Sequence, residues 1–315
     1  MKEVVVLARS FSRSSPEPLA ILEKAGCQVN FKSNPEPDNE EVVANLIGGA
    51  PAVIVGVDRI GKEVFDRCPQ LKVISKHGVG VDNIDLDQAK ARGVVVANAP
   101  GTNSDSVADM ALTLILAFAR RLPYLFERIK EKQWSSPEMG LELRDKTLGV
   151  VGLGRIGRGV AERALGFGMK ILFYDPIVTA EQATSFQKVS LPYLFEHSDI
   201  ISLHAPLTPE TQGMVDEPLL SRMKKEAYLV NTARGELINE EALFRFLKEE
   251  KIAGAALDVL SAEPPFLSPL LTLPNVIVTP HKAAHTREAN IKMGKVAATN
   301  VVRVLAGEEP LFRVV

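Results

Sequence analysis

Residues 148–157 read LGVVGLGRIG, and this stretch decides the fold. A short apolar run is followed by three glycines spaced as GxGxxG, at Gly152, Gly154 and Gly157. The first glycine permits a tight turn out of a strand, the second lets the main chain approach a pyrophosphate, and the third lets a helix pack against the sheet. The free N–H groups and the dipole at the helix start attract an anion. The stretch therefore predicts a strand, a phosphate-binding turn and a helix, which we place at Arg158 to Leu165.

An acidic residue ends the next predicted strand. Asp175 lies 18 residues beyond Gly157, close to the spacing at which a carboxylate accepts hydrogen bonds from both hydroxyls of a ribose. Pro176 and Ile177 follow it, with no arginine for a 2′-phosphate, and the carboxylate itself repels that group. A GxGxxG pattern alone is weak, but the strand, the helix and the acid together predict a dinucleotide-binding domain with NAD as its cofactor.

Short strands alternate with helical segments on both sides of this stretch. Such βαβ alternation predicts parallel sheets covered by helices on both faces, so we expect an α/β protein of two Rossmann-like, doubly wound parallel-sheet domains. The predicted strands are Val4–Ala8, Gln28–Phe31, Ala52–Val55, Lys72–Ser75, Val94–Ala97, Leu148–Val151, Lys170–Tyr174, Ile200–Leu203, Tyr228–Asn231, Gly254–Leu257 and Val276–Thr279.

One domain is predicted to be inserted into the other. The turn-rich residues 98–105 lead into a long predicted helix from about Ser106 to Arg121, with Ser104 or Asp105 as its N-cap. A last predicted helix, Thr286 to Leu305, follows the second strand series with little sheet after it. We expect it to return to the first unit. The NAD-binding Rossmann domain would then comprise residues 99–286, and a flavodoxin-like substrate-binding domain residues 1–98 plus 287–315.

The composition argues against several classes of protein. The chain has 315 residues and a formal net charge of −2, without the basic surplus of a nucleic-acid-binding protein. Its two cysteines, Cys27 and Cys68, form no CxxC pair and fit a reducing compartment. The N-terminal apolar run is too short for a signal peptide, and Val107 to Ala119 falls short of the ~20 residues that span a bilayer. We expect a cytoplasmic protein with no nucleic-acid or membrane partner.

Seven separated motifs resemble those of the D-isomer-specific 2-hydroxyacid dehydrogenases, especially the short phosphoglycerate-dehydrogenase-like members without a regulatory domain. The resemblance covers nearly the whole chain, and the motifs occur in the family's order. They are KHGVGVDNID (76–85), NAPGTNSDSVAD (98–109), LGVVGLGRIG (148–157), HAPLTPET (204–211), NTARGELIN (231–239), ALDVLSAEPP (256–265) and TPHKAAHTREA (279–289).

The resemblance implies roles for individual residues. Arg234 corresponds to the arginine that binds the substrate carboxylate and carbonyl oxygen, His281 to the acid/base, and Glu263 to the acid paired with that histidine. The loop whose N–H groups hold the substrate carboxylate corresponds to Gly78, Val79 and Gly80. The positions that correspond to cofactor contacts are Asn103, Val107, Gly152, Gly154, Arg155, Ile156, Gly157, Asp175, His204, Pro206, Thr211, Thr232, Ala233 and Asp258.

Elementary chemistry supports the three catalytic assignments. Reduction of a 2-keto acid needs a hydride donor, a proton donor at the carbonyl oxygen and a fixed cation for the carboxylate. Arg234 is planar and permanently charged, which suits bidentate binding of a carboxylate. A histidine side chain ordinarily titrates near neutrality, so His281 can give and regain a proton, and a neighbouring carboxylate such as Glu263 favours the imidazolium. Each of the three residues follows a predicted strand, where ligands bind in open α/β sheets.

Two lysines are candidates for a further substrate cation. The family usually has an apolar residue and then a glycine after the catalytic histidine, whereas here Lys282, Ala283 and Ala284 follow. A solvated surface charge is the simpler interpretation of Lys282. Lys76 directly precedes the substrate loop, at a position where several relatives carry a basic residue, and is the better candidate.

Several further expectations follow. His281 and His285 are four residues apart, but no HExxH motif or cysteine accompanies them, so we expect no metal site. Relatives form homodimers through the cofactor domain, and Pro123–Gly140 resembles the arm that reaches the partner, with Trp134 as an aromatic contact. The chain ends at Val315, soon after the last predicted helix, so serine feedback through a regulatory domain is not expected.

Two classes of function remain open. The first is an NAD-dependent dehydrogenase for a small 2-hydroxy acid, such as 3-phosphoglycerate or the glycerate/hydroxypyruvate pair, with phosphite oxidation as a minor variant on the same scaffold. The second is an NADH-sensing, corepressor-like binding protein without turnover. The complete set of Arg234, Glu263 and His281 favours the enzyme.

Overall fold

The chain divides into two units, each with its own sheet. The structure is a computed structural model that describes residues 2–135 and 139–315. The first unit comprises Met1–Asn103 and Ala284–Val315, and the second comprises Ser104–Ala283. Each unit is built on one parallel sheet, which confirms the predicted fold class. No helix within the described ranges is long and apolar enough to cross a membrane.

The elements alternate as strand and helix along both units. The strands are β1 (Lys2–Val6), β2 (Cys27–Phe31), β3 (Ala52–Val55), β4 (Val73–Lys76), β5 (Val95–Ala97), β6 (Thr147–Val151), β7 (Lys170–Tyr174), β8 (Gln187–Lys188), β9 (Ile200–Leu203), β10 (Tyr228–Asn231), β11 (Gly254–Leu257) and β12 (Val276–Val278). The helices are α1 (Glu17–Lys24), α2 (Glu40–Ile47), α3 (Lys62–Arg67), α4 (Leu86–Ala91), α5 (Ser104–Ala119), α6 (Leu122–Lys130), α7 (Arg155–Leu165), α8 (Leu191–His197), α9 (Glu217–Leu220), α10 (Glu240–Lys248) and α11 (Arg287–Leu305).

The first unit contains a five-stranded sheet in the order β2-β1-β3-β4-β5, with all pairs parallel. Its central strand β3 reads AVIV and is buried at every position, as expected for a strand covered on both faces. Apolar clusters lie on both sides of the sheet, and the one that contains Leu22 and Val301 joins the strands to α1 and α11. The last helix therefore completes the core of the unit in which the chain begins.

The second unit contains a seven-stranded parallel sheet in the order β12-β11-β10-β9-β6-β7-β8. β6 lies between β7 and β9, so the chain proceeds outward from β6 in both directions. Helices α5 and α7 cover one face through the cluster of Ile115, Val160 and Phe173, and α8, α9 and α10 belong to the cluster on the other side. The point where the strand order changes direction creates a crevice at the carboxyl ends of the strands.

All eleven predicted strands are present, and their ends differ from the predicted ones by at most two residues. Two elements were missed. β8 has only two residues, Gln187–Lys188, too few to show a pattern. Helix α6, Leu122–Lys130, lies within the segment Pro123–Gly140 that we predicted only as an arm. It buries none of its residues, so no core-facing stripe indicated it.

Two helix starts were placed too late. α5 begins at Ser104, so Ser104 and Asp105 are its first two residues and neither precedes it as the predicted N-cap. α7 begins at Arg155 and not at Arg158, because Gly154 already has the extended conformation of an N-cap. The phosphate-binding pattern therefore overlaps the first helical turn.

The divisions between the units differ by a few residues from the expected 98/99 and 286/287. Residues 99–103 remain with the first unit, where Ala99 is fully buried and its carbonyl accepts a hydrogen bond from the Thr102 hydroxyl at 2.7 Å. Ala283 remains with the second unit, since its N–H donates to the Asp258 carboxylate at 2.7 Å. Single hydrogen bonds of this kind leave no pattern in the sequence, so the sequence could not fix the division between the units to the residue.

Candidate active site

The carboxyl edge of the seven-stranded sheet carries most of the predicted site residues. Because its strands are parallel, the loops that follow them all leave from the same edge. In the spatial order of the strands, β12 is followed by His281, β11 by Asp258 and Glu263, β10 by Thr232, Ala233 and Arg234, β9 by His204, β6 by the glycine turn and β7 by Asp175.

The three glycines each meet a different steric constraint. Gly152 has a φ of 90°, and a Cβ there would lie 2.8 Å from the carbonyl carbon of His204. A Cβ on Gly157 would lie 2.0 Å from the main-chain oxygen of Gly152. A Cβ on Gly154, in contrast, would meet no atom within 4 Å. Gly152 and Gly157 are required by the protein's own packing, whereas Gly154 leaves open space beside the N-terminus of α7. This arrangement fits a bound pyrophosphate.

Asp175 is held as a carboxylate beside this turn. Its Oδ2 accepts a hydrogen bond from the Leu153 N–H at 2.7 Å, and its Oδ1 accepts from the N–H groups of Ile177 and Val178 at 2.8 Å each. Burial alone would raise the pKa of Asp175, but these three hydrogen bonds keep that pKa below its ordinary value. A fixed, ionised acid at this position fits the ribose of NAD.

Two further groups in the second unit have properties suited to a ligand. The Thr232 hydroxyl is buried and has no hydrogen-bond partner among the described residues. Buried polar atoms are nearly always paired, so an orphaned hydroxyl indicates a partner that the protein itself does not supply. His204 Nε2 lies 2.9 Å from the Ser202 hydroxyl, and burial lowers the pKa of His204 to about 4. The imidazole of His204 is therefore uncharged at neutral pH.

His281 and Glu263 form a directly bonded pair. His281 Nδ1 lies 2.8 Å from Glu263 Oε2, and both side chains are partly exposed, at 51% and 39%. Burial raises the pKa of Glu263, but the hydrogen bond and charge of His281, the Leu260 N–H and the charge of Arg234 together lower it below its ordinary value. Glu263 is thus a carboxylate that accepts from Nδ1, which leaves Nε2 of the ring for a substrate.

Asp258 fixes the loop that carries this histidine. The side chain is 1% exposed, and its carboxylate accepts hydrogen bonds from the Thr279 hydroxyl, the Lys282 N–H at 2.9 Å and the Ala283 N–H at 2.7 Å. The His281 N–H donates to the Asp258 carbonyl at 2.9 Å, and His281 has a φ of 51°. The Asp258 carboxylate thus holds the main chain on both sides of His281, and its predicted contact with the cofactor stays a prediction.

Arg234 follows β10 and leads into a short 3-10 turn, Gly235–Leu237. Asn231 Nδ2 donates to the Arg234 carbonyl at 2.7 Å, and the guanidinium donates to the Ala233 carbonyl at 2.7 Å. A Cβ on Gly235 would lie 2.0 Å from the carbonyl carbon of Leu260, so only glycine fits directly after the arginine. The segment that carries Arg234 is therefore fixed between β10 and β11.

The predicted substrate loop belongs to the first unit. Gly78, Val79 and Gly80 follow β4, and their N–H groups donate to no acceptor within the described ranges. Three successive free N–H groups form a site suited to a carboxylate. His77, which precedes the loop, is buried, and this burial lowers its pKa to about 4, so it adds no charge.

Lys76 has partners within the first unit. Its ammonium donates to the Gly56 carbonyl at 2.6 Å and to the Asn83 side chain. Its role as a substrate cation stays a prediction.

The remaining predicted cofactor residues occupy varied positions. Arg155 and Ile156 open α7, and Val107 is buried in α5. The Thr211 hydroxyl donates to the Pro206 carbonyl at 2.7 Å and accepts from the Thr208 N–H at 2.8 Å, so this pair organises its own loop. Asn103 belongs to the first unit, and its Oδ1 is buried without a partner among the described residues.

Comparison with known proteins places this arrangement in a family. Residues 112–283 match the family model described as "D-isomer specific 2-hydroxyacid dehydrogenase, NAD binding domain". The chain is 44% identical over 273 residues to the D-3-phosphoglycerate dehydrogenase of Methanocaldococcus jannaschii, which covers 85% of this chain and 52% of that protein. It is 42% identical over 310 residues to the glyoxylate reductase of Thermofilum pendens, and the matched region covers 95% of this chain and 91% of that protein. The chain belongs to the D-isomer-specific 2-hydroxyacid dehydrogenase family.

A solved structure with the same fold supports this conclusion. The D-lactate dehydrogenase of Aquifex aeolicus, complexed with NAD and lactic acid, superposes with a TM-score of 0.83 at 31% identity, covering 97% of this chain and 96% of that one. The match to an NAD-binding domain confirms the predicted cofactor, and the family confirms the predicted class of oxidoreductase. The chain spans about half the length of the M. jannaschii relative.

Sequence reasoning missed three residues that hold the site in place. Thr279, Ser202 and Asn231 bond to Asp258, His204 and the Arg234 carbonyl, respectively. Each lies at or beside the end of a strand, but a hydroxyl or amide there is common in any α/β protein. Only the distances identify these residues.

The glycine turn gives a test that separates cofactor binding from folding. In Gly154→Ala the new methyl group meets no protein atom but occupies the open space beside α7, so we expect the dissociation constant for NADH to rise roughly tenfold or more at an unchanged melting temperature. In Gly157→Ala the methyl group collides with the Gly152 main chain, so the melting temperature should fall by several degrees. NADH fluorescence titration and thermal unfolding measure the two quantities. Equal NADH affinity in wild type and Gly154→Ala would contradict the placement of the pyrophosphate.

Proposed function

We propose that this chain is an NAD-dependent D-2-hydroxyacid dehydrogenase that interconverts a small 2-keto acid and the corresponding 2-hydroxy acid. The observation that carries the proposal is the hydrogen bond between His281 and Glu263, at the same sheet edge as the glycine turn and Asp175. A dinucleotide-binding turn alone would also fit a sensor. A histidine held by an ionised carboxylate is the acid/base that carbonyl reduction needs.

In the proposed reaction His281 donates the proton. Its Nδ1–H donates to Glu263, so Nε2 can give a proton to the carbonyl oxygen as this oxygen becomes a hydroxyl. Reduced nicotinamide, when bound, supplies the hydride to C2. In the opposite direction Nε2 takes the proton back. Glu263 stabilises the imidazolium and fixes the orientation of the ring.

Two groups are assigned to the substrate carboxylate. The Arg234 guanidinium provides a planar, permanent charge, and the free N–H groups of Gly78, Val79 and Gly80 provide neutral donors. Gly235 supports Arg234, because only glycine fits against Leu260 directly after the arginine, and Asp258 holds the loop that carries His281. The free cysteines Cys27 and Cys68 are consistent with the cytoplasm as the location.

The substrate candidates are hydroxypyruvate/glycerate, glyoxylate and 3-phosphoglycerate. Two of them are suggested by the names of the relatives, which are a D-3-phosphoglycerate dehydrogenase and a glyoxylate reductase. All share a carboxylate beside the carbon that is reduced or oxidised, and this common unit is what the proposed groups bind.

The activity is tested with a panel of 2-keto acids. Purified protein is mixed with NADH and glyoxylate, pyruvate, hydroxypyruvate, oxaloacetate or 3-phosphohydroxypyruvate, and the loss of absorbance at the reduced nicotinamide is followed. We expect turnover of at least one member, and His281→Ala should lower kcat by about 100- to 10,000-fold because the proton donor is lost. His197→Ala, at an exposed histidine stacked on Tyr193, is the control and should keep wild-type activity. NADH binding without turnover of any member would favour the sensor.

The role of Glu263 is tested by the pH dependence of reduction. Reduction requires protonated His281, and the carboxylate of Glu263 stabilises that form. Glu263→Gln removes the charge but keeps the size, so the alkaline loss of activity should begin at lower pH, and kcat/KM at neutral pH should drop roughly tenfold or more. A profile of kcat/KM from pH 5 to 9 measures both. An unchanged alkaline limb would show that Glu263 does not act on His281.

We also propose that two copies of this chain form a homodimer through the second unit. Helix α6 buries none of its residues, and Phe126 and Ile129 are 62% and 55% exposed on it. Trp134 and Met139, farther along, are 92% and 88% exposed. Part of the predicted arm, residues 136–138, lies outside the described residues. Several large apolar side chains exposed within one short segment are typical of an interface, and the segment Pro123–Gly140 resembles the dimer arm of the family.

The dimer is tested by mass in solution. We expect light scattering after gel filtration to give twice the 34.3 kDa of one chain, and the double variant Phe126→Glu/Ile129→Glu to give one chain mass, because two charges would be buried at the interface. Val57→Glu is the control, since Val57 is 72% exposed but lies in the first unit. A wild type that elutes as a single chain would refute the dimer.

A further inference from the structure

The loop Gly78–Gly80 is held by the segment that follows β5. The Gly78 carbonyl accepts a hydrogen bond from the Ala99 N–H at 2.9 Å. The Val79 carbonyl accepts from the side-chain Nδ2 of Asn98 at 2.7 Å. Two consecutive carbonyl groups of the loop are thus bonded to the same short stretch of chain.

These two bonds also fix the directions of the loop's N–H groups. In a trans peptide the carbonyl of one residue and the N–H of the next point in opposite directions within one plane. Fixing the Gly78 carbonyl therefore sets the direction of the Val79 N–H, and fixing the Val79 carbonyl sets that of the Gly80 N–H. Both N–H groups are directed away from residues 98–99, and neither donates to an acceptor in the described part of the chain.

Asn98 is held in turn by the last helix. Its carbonyl accepts from Asn300 Nδ2 at 3.0 Å, and its N–H donates to the Phe312 carbonyl at 3.2 Å. Asn300 lies on α11 and is 0% exposed, and its Oδ1 accepts from the Leu311 N–H at 2.9 Å. Removal of either amide would leave partly buried polar atoms unpaired.

We propose that Asn98 and Asn300 are positioning residues that orient the Val79 and Gly80 N–H groups toward the carboxylate of the substrate. The inference rests on the proposed function, in which this loop receives that carboxylate. Asn300 fixes the main chain of Asn98, the Asn98 amide fixes the peptide plane between Val79 and Gly80, and that plane presents an N–H to the anion. Both asparagines are uncharged, so they hold the loop without introducing a charge that would compete with the substrate's.

The variant Asn98→Leu tests this directly, because leucine has a similar volume but no hydrogen-bond donor. We expect KM for every 2-keto acid that the wild type reduces to rise by the same factor, about tenfold, since all of them share the carboxylate. The kcat value and the NADH dissociation constant should stay near those of the wild type. Asn300→Ala should raise KM in the same way, by a smaller factor, since it acts only through Asn98.

Ser75→Ala is the matched control. The Ser75 hydroxyl donates to the Ala297 carbonyl at 3.0 Å and is fully buried, so it also joins the sheet to α11, but it lies within β4 and not in the loop. We expect its melting temperature to fall while KM stays at the wild-type value. A purely structural role for Asn98 would make Asn98→Leu behave like Ser75→Ala, with KM unchanged, and that result would overturn the proposal.

Two further outcomes have definite meanings. A rise in KM that depends on the substituent at C3 would indicate direct contact with that substituent and would overturn the positioning role.

If the wild type reduces no member of the panel, the proposed function fails. The orientation of the loop is then judged by titrating the ¹⁵N-labelled protein with oxamate, a 2-keto acid analogue. The positioning role requires a shift of the Gly80 amide signal that is lost in Asn98→Leu, or in Asn98→Ser should the leucine variant not fold.

Discussion

All seven strands of the sheet in the second unit run in the same direction, and the candidate site depends on this constraint. A parallel sheet releases every loop from one edge, so residues far apart in sequence, from Gly152 to His281, follow neighbouring strands. The reversal of strand order at β6 opens the crevice in which the glycine turn and Asp175 lie. Without the common direction of the strands, the same residues would be divided between two edges.

The sheet brings the loops to one edge, and hydrogen bonds within the loops then fix the positions of the individual side chains. Asp258 bonds to the N–H groups of Lys282 and Ala283, and the His281 N–H returns to the Asp258 carbonyl. The histidine is thereby held with a positive φ, an uncommon conformation for a residue with a side chain. A buried carboxylate whose partners are N–H and hydroxyl groups stabilises this conformation and adds no ion pair to the loop.

The strands were predictable from the sequence because buried parallel strands are short apolar runs with clear ends, as in AVIV of β3. The glycine turn and Asp175 were predictable because their chemistry demands those residue types at nearly fixed spacing. Helix α6 was not, since it faces no core. The role of Asp258 was not predictable either, because its partners are main-chain N–H groups, which every residue except proline carries. The functions of Asn98 and Asn300 depend on a contact between residues about two hundred positions apart.

The insertion of one unit within the other also has a consequence for biosynthesis. The second unit is continuous in sequence, so all of it is synthesised before α11. The first unit waits for that helix, because α11 supplies Ala297, Ala298 and Val301 to its core. At about 5–20 residues per second, α11 follows β5 by roughly 10–40 s, and for that time the part of the five-stranded sheet that α11 covers is exposed in the nascent chain. The earliest strands of this protein therefore belong to the part that is completed last, and they are the segment for which a chaperone would matter most.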